Sequence, residues 1–377
     1  MSNASSDATY IFRDSVEAQL NCSCNPGTET AVGSCVGLGY HCYQPYSTQS
    51  VFIMGVCAVF VILFGLLANV ISVLIFLHRA MRHSSINWYL TARSVTDFLL
   101  LLASFFLFCL PRLGELFRSF AAVNLAYFFT PLTYASALTA QTASIYLTLL
   151  MTTHRFIGVC FPFKAGAILT RGRVLTLLVA VLLFAVLFNA TRFFEVYVSG
   201  YALHVNIGVM LSTLDPTHLR QTDLYKTLMF GWCYTLIMFL IPFTGLIIMN
   251  SMVILAVHRS RKRHQEINSG DSVACKLEAR KERSTSLMLI GVVFIFLLCN
   301  TVALVVNVLE VTNELPPPSI FGLMVDVSNL LVAVSCSTNI FVYCSFSEKY
   351  RILLKYFLFC HWLRQEQMLL TALTSMT

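Results

Sequence analysis

The sequence predicts an all-α integral membrane protein, a seven-transmembrane helix bundle, on three observations. Hydrophobic residues make up 57% of the 377-residue chain and charged ones 11%, less than half the charge of an ordinary soluble domain. Seven stretches are apolar over about the 20 residues that a helix needs to cross a bilayer. Lys and Arg are segregated to one side of those stretches. A globule with so few charges would expose large apolar patches to water, so soluble enzymes, nucleic-acid-binding proteins and disordered scaffolds are excluded. The formal net charge of +7 is no argument for nucleic acid, since each charge acts only on its own side of the bilayer.

The chain divides into a polar tail over 1–50, the bundle over 51–346 and a segment over 347–377. The tail begins MSNASSDATY, without the basic start and apolar core of a cleavable signal peptide. It holds four cysteines, Cys22, Cys24, Cys35 and Cys42, an even number that predicts disulfides in an oxidising compartment, with pairing left open. Its sequons at Asn3 and Asn21 predict glycosylation. A third sequon, at Asn189, falls at the end of a span and reads as chance.

The seven spans cover roughly 51–77, 88–110, 125–151, 174–189, 228–257, 286–309 and 320–346. They must be helical, because a segment isolated in lipid has to satisfy every backbone N–H and C=O internally. With the N-terminus outside, 18 of the 25 Lys and Arg fall inside and 6 outside, Arg93 alone lying within a span. The positive-inside rule favours that orientation, at the plasma membrane. Of the 18 Asp and Glu, 11 fall outside, counting Asp326 at the outer end of the seventh span, 6 inside, and Asp97 in mid-span. The acidic outer face should draw cationic ligands, while the basic inner face suits anionic membrane lipid and an acidic partner. The charge-rich segment 259–283 reads as two helix extensions joined by a flexible loop.

Polar residues within the spans fall into stripes at helical spacing. The third span has Gln141 and Ser144, on one face with Arg155; the sixth has Asn300, Asn307 and Glu310; the seventh has Asp326, Asn329, Cys336, Asn339 and Tyr343. Such groups are costly in lipid and face the bundle interior. Asp97 lies mid-membrane with Arg93 four residues before it. This spacing predicts an ion pair, either purely structural or part of a switch, and argues against a conventional sodium site because Arg93 already supplies the positive charge. No nucleophile–base set or metal cluster is visible, so neither enzyme activity, a cofactor nor a metal is expected.

Six short motifs, in order on the correct spans, resemble a rhodopsin-like (class A) G-protein-coupled receptor. They are Gly65-Leu-Leu-Ala-Asn69, Leu90 to Asp97, His154-Arg155-Phe156 through Pro162, Pro242, Phe296-Leu-Leu-Cys299 and Asn339-Ile-Phe-Val-Tyr343. The stretch from Phe346 through Leu354 resembles the family's amphipathic eighth helix, with Cys360 as a palmitoylation site. Phe188–Glu195, Cys299–Glu310 and Val325–Tyr343 are similar to the invertebrate FMRFamide-related neuropeptide receptors.

That resemblance implies an amidated cationic peptide ligand, a heterotrimeric G protein and arrestin as partners, and outward movement of the sixth helix on activation. A peptide ending in Arg-Phe-amide would set its guanidinium against Glu195, Glu310 or Asp326, above a cavity lined by Tyr134, Gln141, Tyr234, Asn307 and Asn329. The activation switch would comprise Asn69, Arg93, Asp97, Ser144, Arg155, Glu282, Asn300, Asn339 and Tyr343, with Arg155 bonded to Glu282 at rest. Departures from the family pattern are Thr130 in place of a cysteine, no cysteine over 192–226, His154 in place of an acid, and Val302 and Ile340 in place of helix-kinking prolines. A chemosensory receptor for a small molecule and a non-signalling peptide scavenger remain alternatives; a transporter or channel would not need the Arg155 and Asn339–Tyr343 motifs.

Overall fold

The computed structural model describes residues 45–204, 209–266, 273–312 and 314–359, with the side chains of 200–210, 230, 260–285 and 359 also outside the description. The molecule is a bundle of long helices. α1 (Thr48–Leu77) and α2 (Ser85–Leu116) are followed by α3 (Phe120–Cys160) and α4 (Arg171–Phe188). α5 comprises π-helical stretches Lys226–Trp232 and Thr235–Leu240 running into an α-helix over Ile241–Glu266. α6 is Val273–Thr312, α7 is Pro318–Ser337 continued by Asn339–Phe346, and α8 is Glu348–Phe359.

Six of these helices are long and apolar enough to cross a membrane by length and composition. The 41-residue α3 is the exception, and its place explains why. It packs against α2, α4, α5 and α6, so much of its polar face meets protein, while Leu125, Phe128 and Leu132 stay exposed. Its hydroxyls are satisfied within the helix: Thr130, Thr139, Thr148, Thr152 and Thr153 donate to the carbonyls of Ala126, Ala135, Ser144, Thr148 and Leu149. Back-bonding of this kind makes a polar composition tolerable at membrane depth.

Close packing joins the first and last spans. Ser337 Oγ donates to the α1 carbonyl of Val61 at 3.0 Å, and a Cβ on Gly65 would stand 2.1 Å from that oxygen. Only glycine leaves room for the contact. Asn69 Nδ2 donates to the Cys336 carbonyl at 3.1 Å, a second tie between α1 and α7. Small residues and interhelical hydrogen bonds hold helices together where no hydrophobic force acts between them.

The missing prolines have different outcomes in α6 and α7. α6 is one unbroken helix through Val302. α7 is interrupted at Thr338, whose hydroxyl donates to the Val334 carbonyl at 2.8 Å. The Val334 carbonyl accepts from both the Thr338 backbone N–H, at 2.9 Å, and its hydroxyl, so the helix breaks here without proline.

Among the described residues, the connection after α4 holds the β structure, which hydropathy did not anticipate: a 3-10 turn, Ala190–Phe194, then strands β1 (Val196–His204) and β2 (Val209–Pro216), antiparallel, with a bulge between Val198 and Gly200. Ser212 N–H, turned away from the ladder, donates to Asn124 Oδ1 on α3 at 2.7 Å. The hairpin is therefore tied to α3 by a hydrogen bond near the position where Thr130 replaces cysteine. Among the described residues, four π-helical stretches, one each in α1 and α2 and two in α5, lie in the parts of those helices toward this end of the bundle.

Candidate functional site

The hairpin end brings together most of the residues expected to hold a ligand. Tyr134 comes from α3, Tyr234 from α5, Asn307 and Glu310 from α6, and Asp326 and Asn329 from α7, beside Glu195 on the connection after the 3-10 turn. Tyr134 Oη donates to Glu195 Oε2 at 3.3 Å, and Thr235 Oγ1 donates to Asn307 Oδ1 at 2.6 Å. Asn329 and Tyr234 are half-buried. Gln141 lies elsewhere: it lines a small cavity on the bundle axis with Ser144 and Asn300.

The three acids have unequal roles. Asp326 is buried and paired with Arg112 of α2 at 3.0 Å. That guanidinium also donates to Ser50 Oγ and the Phe108 carbonyl, at 2.7 and 2.9 Å, and stacks 4.4 Å over the Tyr46 ring. Glu195 is fully buried and accepts from Arg192 at 3.0 Å and Tyr225 Oη at 2.7 Å, with Arg220 at 4.0 Å. Burial pushes the Tyr225 phenol up to about 12, so it remains a donor to the carboxylate. Glu310 is exposed and has no ion-pair partner among the described residues. It stands close enough to Tyr234 to act on it electrostatically.

Sequence reading missed Arg112, Arg192, Arg220 and Tyr225, and with them the prior engagement of two acids. Arg192 and Glu195 stand at the i, i+3 spacing, a signal that was present in the sequence. Arg112 and Asp326 are 214 positions apart, and no local pattern could have joined them.

The bundle axis carries the second group. Asp97 is fully buried; it accepts from Ser144 Oγ at 2.5 Å and Asn339 Nδ2 at 2.9 Å, with Arg93 Nε at 3.4 Å. Three helices therefore meet on one carboxylate, with Ser144 and Asn339 supplied by the polar stripes of α3 and α7 and Arg93 by α2 itself. Asn300 is also buried and donates to the Phe296 carbonyl of its own helix at 2.8 Å.

At the opposite end Tyr343 is fully buried, edge-on to Phe76 at 5.1 Å and tilted against Tyr350 at 5.5 Å. Tyr350 Oη hydrogen-bonds Ser72 Oγ at 2.8 Å, which seats α8 on α1. Arg155 is half-buried, and His154 packs edge-on to Tyr89 at 5.7 Å. The Glu282 side chain lies outside the described residues, as do Asn3, Asn21, Cys22, Cys24, Cys35, Cys42 and Cys360. Asn189 is 1% exposed and donates to Thr142 Oγ1 at 2.8 Å; its sequon is inaccessible. Among the described residues no three His, Cys, Asp or Glu side chains group as a metal site.

Comparison with known proteins agrees with this architecture. Residues 68–343 match the 7 transmembrane receptor (rhodopsin family). The chain is 32% identical over 292 residues to the FMRFamide receptor of Drosophila melanogaster, covering 76% of this chain and 50% of that protein. It is 30% identical over 308 residues to the FMRFamide peptide receptor frpr-18 of Caenorhabditis elegans, covering 78% of this chain and 67% of the other. It is 26% identical over 369 residues to the probable G-protein coupled receptor frpr-1 of the same nematode, covering 90% of each. The chain thus spans about half the length of the Drosophila relative. With seven helices in this order and a carboxylate shared among three of them on the axis, the chain belongs to the rhodopsin family of seven-transmembrane receptors, related to the FMRFamide receptors, a multi-pass membrane protein and no enzyme.

Proposed function

We propose that this chain is a plasma-membrane receptor for an amidated neuropeptide with a cationic C-terminal end, of the Arg-Phe-amide kind, and that it signals to a heterotrimeric G protein. Its N-terminus and hairpin end face outside, which the loop-charge asymmetry supports. The names of the Drosophila and nematode relatives support the ligand class. The observation that carries the reading is the exposed Glu310, which lacks an ion-pair partner among the described residues and lies close to Tyr234, itself close to Tyr134.

A ligand guanidinium would form a charge-assisted bond with Glu310, and an aromatic ring would enter among the tyrosines. Asp326 and Glu195 already pair with Arg112 and Arg192, so a ligand guanidinium would meet each of them beside a resident arginine. On activation the peptide binds one arrangement of the bundle better than the other and moves the equilibrium by that difference alone. At rest Arg155 would pair with Glu282; movement of α6 would part them and uncover the G-protein groove. Arrestin would use the same end, with basic residues and α8 held at anionic lipid and Cys360 palmitoylated. The tail's Asn3 and Asn21 would carry glycans, and Cys22, Cys24, Cys35 and Cys42 its disulfides.

G-protein activation in cells expressing the chain tests this, with Phe-Met-Arg-Phe-amide beside its free-acid form. A response to the amide alone is expected. Silence to both at normal surface expression would favour a chemosensory ligand; binding without activation would favour a scavenger.

A further inference from the structure

The buried core around Asp97 carries more positive charge and more donors than a metal-ion site tolerates. Sodium bound at a mid-membrane carboxylate needs free oxygen ligands and a site of net negative charge. Here both Asp97 oxygens already accept hydrogen bonds, Oδ1 from Ser144 and Oδ2 from Asn339. Arg93, 1% exposed, sits with its Nε 3.4 Å from Oδ2, so the pair is already neutral.

Charge and space, not a lack of oxygens, exclude the ion. Among the described residues, Arg93 Nε and Nη1 are buried donors without a hydrogen-bond partner, while the oxygens Asn339 Oδ1, Ser94 Oγ and Tyr343 Oη are also unpartnered. The adjoining cavity, lined by Arg93, Gln141, Ser144, Asn300, Ser335 and Cys336, measures about 10 Å³, the lower limit for one water and too small for an ion with its own waters. A second cation about 4 Å from the guanidinium would lose roughly a thousandfold in affinity at an effective dielectric constant of about 20.

We propose that Arg93 is the resident cation of this core, so that Asp97 takes no sodium and the receptor's conformational stability is indifferent to that ion. Arg93 fills from within the role that a dissociable ion could otherwise play, tethered one turn from its counter-charge. Replacing it with a neutral side chain of similar length then opens Asp97 to sodium, because the charge that excludes the ion is gone while the oxygens of Asp97, Ser144 and Asn339 remain.

The test uses the purified full-length chain without ligand. Its melting temperature is followed in sodium chloride and in choline chloride at one ionic strength, for wild type, Arg93→Met and Arg93→Gln. Wild type should melt within about 1 °C in the two salts. Either variant should gain about 3 °C in sodium, saturably, once the ion is about tenfold above its dissociation constant. The double variant Arg93→Met/Asp97→Asn should lose that gain, which places the ion at Asp97. Saturable sodium-selective stabilisation of wild type would overturn the proposal even if neither variant folded. Folded variants that ignore sodium would overturn it as well, since the guanidinium would then not be what excludes the ion.

Discussion

Arg112 of α2 and Asp326 of α7, 214 positions apart, form a buried ion pair at 3.0 Å that closes one side of the hairpin end. The same guanidinium bonds Ser50 and stacks on Tyr46, so the start of α1 is fastened to α2 and α7 by one side chain. An acid that sequence reasoning offered to a ligand thus already carries a resident counter-charge.

Removing one member of such a pair leaves an uncompensated buried charge, which costs about 3–5 kcal/mol. Arg112→Ala and Asp326→Ala should each lower melting temperature and surface expression sharply. The double variant should lose less than the sum of the two, and a double-mutant cycle on melting temperature measures that coupling. Strict additivity would show that the pair does not act as a unit.

Glu310→Gln should behave in the opposite way. Its side chain is exposed and supports no described partner, so expression should stay normal. Loss of a charge-assisted bond worth about 1.5–3 kcal/mol should raise the half-maximal concentration of an Arg-Phe-amide peptide by about tenfold or more. Dose–response curves at matched surface expression decide this; an unmoved curve would assign the guanidinium elsewhere.

Two glycines should respond to alanine with opposite signs. At Gly65 the new Cβ would lie 2.1 Å from Ser337 Oγ and 2.6 Å from Leu101 Cδ1, and overpacking of this kind costs about 1–3 kcal/mol. At Gly322, within α7, a Cβ meets nothing within 4 Å, so the change should stabilise the helix by about 0.5–1 kcal/mol. Thermal unfolding of the two purified variants measures both.

His154, below the third span, should make stability sensitive to acid. Burial, and then the Arg155 guanidinium, pushes its imidazole down to about 4, against about 6.5 in an unfolded chain. Between those values the unfolded chain binds the proton and the folded one resists it. The contribution of His154 to stability is therefore flat above about pH 6.5 and falls as pH drops from there toward 4. The melting-temperature difference between His154→Gln and wild type, taken from pH 7.5 to 4.5, should move steadily in favour of the variant; a constant difference would mean that His154 is not held neutral.

The sequence by itself determined the membrane bundle, its seven helices and the polar axis. These are local properties: a span is a run of apolar residues, and a stripe is a spacing read against the helical period. The Arg93–Asp97 pair was legible for the same reason, its partners standing four residues apart. Tertiary structure alone decided which polar groups were already engaged. Arg112 with Asp326, Asn339 with Asp97 and Tyr134 with Glu195 join residues 214, 242 and 61 positions apart, and no periodicity reports a contact between helices. It also decided the β hairpin, whose strands hydropathy does not distinguish from a loop, and the break in α7 at Thr338, which no proline marks. Acid number and position were written in the chain; their availability to a ligand came from the packing of distant arginines around them.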